Sequence, residues 1–147
     1  MSGLFEDMED FNGDISHWNV SNVDNMYSMF DHAASFNGDI SKWDVSNVVD
    51  FFEMFFNAKS FNQPLNKWNV TSARDMYGMF NGAESFNQSL NDWDVSNVED
   101  MRRMFTGAKS FNQDLNDWDV SHARRAYKTD MFDGTKMEKL GKLPDWY

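Results

Sequence analysis

Apolar side chains return along this chain every 25 residues, and the polar positions between them keep the same interval. Phe11, Phe36, Phe61, Phe86 and Phe111 each open a unit and each is followed by asparagine. Trp18, Trp43, Trp68, Trp93 and Trp118 come next, then Val20, Val45, Val70, Val95 and Val120. A Met-Phe pair begins at Met29, Met54, Met79 and Met104, and Ala33, Ala58, Ala83 and Ala108 close the pattern. An exact period of this length predicts a repeat architecture, in which each unit is one winding of a coil and like positions pile into rows.

The same pattern sets the register. Residues 1–10 read as the back half of a unit, with Leu4 and Phe5 where Met-Phe belongs. Full repeats follow at 11–35, 36–60, 61–85 and 86–110, and 111–147 holds a fifth repeat plus a C-terminal cap in which Met131 and Phe132 arrive two residues late. The expectation is a single solenoid domain over 1–147, since terminal units must cover the end of a stacked core.

Within a unit the pattern predicts two elements. From Ser96 to Gly107 the punctuation is helical: Ser96 as N-cap, Glu99 three residues later, and Gly107 near the end, with Val98, Met101, Met104, Phe105 and Ala108 at helical spacing. The half from Phe111 to Val120 reads as a short strand, with Trp118 and Val120 pointing inward and Asp119 outward. The fold class expected is therefore α/β: a right-handed, leucine-rich-repeat-like solenoid with one short parallel strand and one short helix per repeat. The Asn12 column is expected to stack into a ladder of amides that satisfies backbone groups at the coil's corner.

The blocks MFNGAESFNQSLNDWDVSNVEDM and MFTGAKSFNQDLNDWDVS resemble the BspA-like repeats of mycoplasma-type surface lipoproteins. The closing MFDGTKMEKLGKLPDWY resembles the terminal unit of such arrays. The resemblance implies cell-surface display and adhesion, and hence a cell-surface or extracellular location, although no signal peptide is present in the chain.

Composition narrows the function. The net charge of -11 argues against a nucleic-acid partner, which needs a basic stripe, and no run of 18 apolar residues is present for membrane insertion. Residues 1–100 hold 4 basic against 17 acidic side chains, whereas 101–147 hold 9 against 7, so the two ends differ in sign. With no cysteine, disulfides and thiolate chemistry are excluded. His17, His32 and His122 occupy three different repeat positions, so no metal pair or triad follows, and no catalytic motif or cofactor is expected.

Two exposed columns remain as the candidate interaction face: Asn19, Asp44, Asn69, Asp94 and Asp119, flanked by His17, Lys42, Lys67, Asp92 and Asp117. Both change from copy to copy over a fixed scaffold, which is how repeat proteins tune an interface. The expected function is a non-catalytic, adhesin-like binding module for a protein or glycan. The chain is expected to be a monomer or to associate weakly end to end; the alternatives are a self-assembling structural unit and a coil stabilised by calcium between stacked aspartates, Asp14, Asp39 and Asp114 or Asp44, Asp94 and Asp119.

Overall fold

Between Met26 and Ala33 the backbone closes one β-turn after another. The N–H of Met29 donates to the carbonyl of Met26, Asp31 to Ser28 and Ala33 to Phe30, at 3.2, 3.1 and 3.0 Å. The alternate N–H groups leave the turn chain altogether: Met26, Ser28, Phe30 and His32 donate to the carbonyls of Asp50, Phe52, Met54 and Phe56 in the next unit, at 2.8–2.9 Å. The same pattern carries Phe51 to Asp75, Met76 to Asp100 and Met101 to Tyr127. Each unit is thus a layer whose turn chain is held to its neighbour by every second one of its backbone donors.

The computed structural model describes residues 1–123 and 125–147. Among these, regular helix is limited to a 3-10 turn at Arg125–Lys128 and one α-helical turn, α1, at Lys136–Lys139. Only isolated parallel bridges link Asn25, Asp50, Asp75 and Asp100. The α/β leucine-rich-repeat-like solenoid is therefore not what the chain forms: there is no helix from Ser96 to Gly107 and no strand from Phe111 to Val120.

The physical reason for the missing helix lies in φ. Ser28, Glu53 and Arg103 stand at φ 49°, 51° and 58°, and His32 and Asn57 at 56° and 53°, with glycines 78, 82 and 107 at the matching positions. A left-handed residue every fourth position ends any α-helix, at a cost of about 1–2 kcal/mol for a non-glycine residue. Chained turns nevertheless bring positions i, i+3, i+4 and i+7 to one side, as a helix does. Met26, Met29, Phe30 and Ala33 are all fully buried, and the inter-layer hydrogen bonds offset the strain.

The second half of a layer is extended chain punctuated by further turns, such as Trp43 N–H to Ile40 and Val48 N–H to Val45. No strand ladder runs through it, because side chains take over the inter-layer pairing. The indole N–H of Trp43, Trp68, Trp93 and Trp118 reaches the carbonyl of Ile15, Ile40, Leu65 and Leu90 in the layer before. The N–H of Asn37, Asn62, Asn87 and Asn112 is accepted by Oδ1 of Asn12, Asn37, Asn62 and Asn87.

Between these polar seams lies an aromatic core. Phe5, Phe30, Phe55, Phe80, Phe105 and Phe132 form one stacked column with ring centroids 5.4–5.7 Å apart. Phe11, Phe36, Phe61, Phe86 and Phe111 form a second, and within a layer the two columns touch, as at Phe30–Phe36, 4.0 Å. Parallel rings at these separations supply stacking in addition to the free energy of burial.

At the C-terminal end the Met-Phe pair falls two residues late and the chain turns over the last layer. Thr135 caps α1 by accepting from Glu138 N–H. Trp146 then takes the place of a layer's tryptophan: its indole N–H reaches Leu115 O at 2.8 Å and its ring stacks on Trp118 at 6.3 Å.

Candidate functional site

All ten residues of the expected face are exposed. The Asn19 column, however, is committed to its own turns. Oδ1 of Asn19, Asp44, Asn69, Asp94 and Asp119 accepts the backbone N–H of the serine or threonine two residues on, at 3.0–3.1 Å. In the first four the hydroxyl donates to the same oxygen as well. These Asx-turns fix the chain between the tryptophan and valine columns. The serine donors hold the carboxyl groups of Asp44, Asp94 and Asp119 below the ordinary aspartate range.

Asp14 and Asp39 are held low in the same way by Ser16 and Ser41. Oxygens engaged inside their own turns are poorly arranged for a shared cation, and among the described residues no group of three His, Asp or Glu side chains has a geometry that could hold a metal ion. The neighbouring column behaves differently. His17, Lys42, Lys67, Asp92 and Asp117 project into solvent, with Asp117 accepting from Asn91 Nδ2 at 2.8 Å.

A second surface feature runs through Tyr27 and its equivalents 25 residues apart, positions to which the repeat pattern assigns no role. Tyr27, Phe52 and Tyr77 stack ring on ring at 5.0 and 4.9 Å, within 14° of parallel. The ladder continues through Arg102, whose guanidinium lies 5.4 Å from the Tyr77 ring and 5.0 Å from that of Tyr127. Each rung is aimed by the residue two before it: Oδ1 of Asn25, Asp50, Asp75 and Asp100 accepts the N–H of Tyr27, Phe52, Tyr77 and Arg102. Rows of aromatics at 27, 52, 77 and 127 were visible in an alignment of the units, but arginine at 102 broke the pattern.

Beside the ladder the Asn25 column stacks carboxylates. Asn25 Nδ2 donates to Asp50 Oδ2 at 3.0 Å, and Arg102 grips both oxygens of Asp100. Asp75 sits between these ends. Partial burial raises its pKa, and the carboxylates of Asp100 and Asp50 push in the same direction against the Tyr77 N–H. Arg74, Asp75, Glu99, Asp100, Arg102 and Tyr127 line a shallow hollow at the ladder's C-terminal end. Tyr27 is 41% and Val49 42% exposed, which makes this strip apolar as well as acidic.

These features define a layered repeat protein with an aromatic interior and rows of side chains on its surface. The family follows from sequence: the model of the family described as Mycoplasma protein of unknown function, DUF285, matches residues 1–83 and again 53–146, and the chain belongs to that family. No curated protein and no solved structure matches the chain.

Proposed function

We propose that the chain is a non-catalytic recognition module that meets a protein or glycan partner through its surface rows. The observation that carries this reading is the contrast between columns. The buried phenylalanines, tryptophans and valines scarcely change from layer to layer, whereas the exposed rows do. The resemblance to BspA-like surface repeats supports the same reading, with display and adhesion as its setting.

Of the two candidate faces, the aromatic ladder has the stronger claim. Its centre is apolar at Tyr27, Val49 and Phe52, and its rim is charged at Asp24, Arg74 and Glu99, the anatomy of a protein interface. The face of His17, Lys42, Lys67, Asp92 and Asp117 with Asn19, Asp44, Asn69, Asp94 and Asp119 is wholly polar, and half of it is spent on turns.

The test is capture of partners from a cell-surface extract and on a glycan array, with two paired variants. Binding lost on Tyr27→Ser with Val49→Ser, and kept on Lys42→Ser with Lys67→Ser, supports the ladder. The reverse pattern transfers the function to the polar face, and no retained species on either support refutes the recognition reading.

One observation favours a second reading, end-to-end stacking of copies. In the first layer Leu4 and Met8 are each 47% exposed, beside half-buried Phe11 and Trp18. Sedimentation at rising concentration separates the two readings, because a monomer throughout is incompatible with stacking.

A further inference from the structure

Three asparagines in the chain stand two residues before a serine or threonine, with a residue other than proline between: Asn19-Val20-Ser21, Asn69-Val70-Thr71 and Asn87-Gln88-Ser89. This is the acceptor motif for N-linked glycans. A motif match alone discriminates nothing among the three, but the fold treats them differently.

At Asn19 the Ser21 hydroxyl donates to Oδ1 at 2.8 Å and the Ser21 N–H to the same atom at 3.1 Å. At Asn69 the Thr71 hydroxyl and N–H do the same, also at 2.8 and 3.1 Å. Both asparagines are exposed, and among the described residues nothing accepts a hydrogen bond from either Nδ2. Both donors come from the residue that completes the motif, so each amide is held in a turn at the surface together with its own hydroxyl.

Asn87 is half-buried, and the donors on its amide come from the next layer and not from its own motif. Its Oδ1 accepts from Asn112 N–H and from Gln113 Nε2, each at 2.9 Å, and its own N–H is held by Asn62 Oδ1. The amide is locked into the ladder between layers, and no hydrogen bond joins it to Ser89 among the described residues.

We propose that Asn19 and Asn69 are N-glycosylation acceptors on the folded chain and that Asn87 is not. The donor class is a sugar linked through diphosphate to a lipid. Asn Nδ2 forms the bond to the sugar's anomeric carbon, the anomeric carbon–oxygen bond to the diphosphate breaks, the lipid diphosphate leaves with that electron pair, and the Nδ2 proton passes to a carboxylate of the transferase. Asp44, Asp94 and Asp119 share the same turn but have no amide nitrogen to modify. The inference goes beyond the recognition reading and does not depend on it. Sugars on alternate layers would cover the polar face and leave the aromatic ladder clear.

The experiment treats the folded chain with a purified oligosaccharyltransferase and a synthetic lipid-diphosphate donor, and maps occupancy by peptide mass before and after enzymatic release. A synthetic peptide spanning Asn87 serves as the unfolded control. Glycan on both Asn19 and Asn69, with Asn87 modified only in the peptide, is the expected result. Loss of each glycan in Ser21→Ala and Thr71→Ala ties it to its motif. Absence from either Asn19 or Asn69, or equal modification of Asn87 in the folded chain, overturns the proposal.

Discussion

The corner after each Phe-Asn pair is built in two ways along the stack. In layers three to five a glutamine follows the asparagine, and Nε2 of Gln63, Gln88 and Gln113 forks back onto the carbonyl and Oδ1 of Asn37, Asn62 and Asn87. In the first two layers a glycine follows, and the phenylalanine ring fills the room: a Cβ on Gly38 would stand 2.8 Å from Phe36 Cε2, and one on Gly13 3.0 Å from Phe11 Cε2. Among the described residues Asn12 Oδ1 therefore accepts only from Asn37 N–H. The same corner can be held by a polar brace or by a ring laid over bare backbone, and the braced version leaves fewer partners to lose without penalty.

That difference can be broken at its strongest point with Asn87→Ala. The change strands Asn112 N–H and leaves Gln113 Nε2 with only the Asn87 carbonyl, and we expect a loss of about 2 kcal/mol in urea denaturation. Asn12→Ala strands one exposed donor and should cost about 1 kcal/mol or less. Equal losses at the two sites would show that the glutamine brace contributes nothing. Gly38→Ala pushes the Phe36 ring out of place and should cost about 1 kcal/mol through strained packing. Gly38→Gln adds the missing brace to Asn12, and a midpoint no higher than that of the alanine variant would contradict the two-solution picture.

The smallest effect lies in the neighbouring column, which also begins differently. Asn25 donates to Asp50 in the first layer, but Asp75 has only carboxylates above and below it. Its pKa is raised in the folded chain, so the fold binds a proton there more readily than the unfolded chain does. Asp75 thus contributes stability below the ordinary aspartate range, and that contribution is lost as pH rises through the raised value. Asp75→Asn should stabilise the protein by roughly 0.5 kcal/mol at neutral pH, a small gain because the site is half in water. It should also flatten the pH dependence of the melting temperature across that window, and an unchanged slope would place the pH dependence elsewhere.

Much of this architecture was readable from residues alone. The exact recurrence of Phe11, Trp18, Val20 and Met29 fixes which residues share a column, and hydrogen bonds between successive asparagines and from indoles to the preceding layer are its direct expression. The local conformation was not readable, because Met26, Met29, Phe30 and Ala33 satisfy the spacing of a helix and of chained turns equally. The distinguishing feature is the sign of φ at Ser28, Glu53 and Arg103, residue types that carry no mark of the left-handed region. Only Gly78 at that position, and Gly82 and Gly107 four residues on, hinted at it. The surface was partly legible: exposure of the two polar columns follows from alternation with Trp and Val, whereas the Tyr27–Phe52–Tyr77 stack lies in the half of the unit whose spacing predicts a helix, where successive units would not set these rings face to face.

Because half the backbone donors of each turn chain are satisfied only by the adjoining layer, the number of layers is a quantity the chain can change cheaply. Excising one whole period, such as 51–75, would leave Met26 N–H on Asp50 O and bring Ser28 N–H opposite Tyr77 O in place of Phe52 O, with every aromatic row closed up and in step. Removal of one residue fewer would set every row against the wrong neighbour. Such a molecule can lengthen or shorten by unequal copying of its own gene and reach the next working form in a single event, which few folds knit together by distant contacts can do.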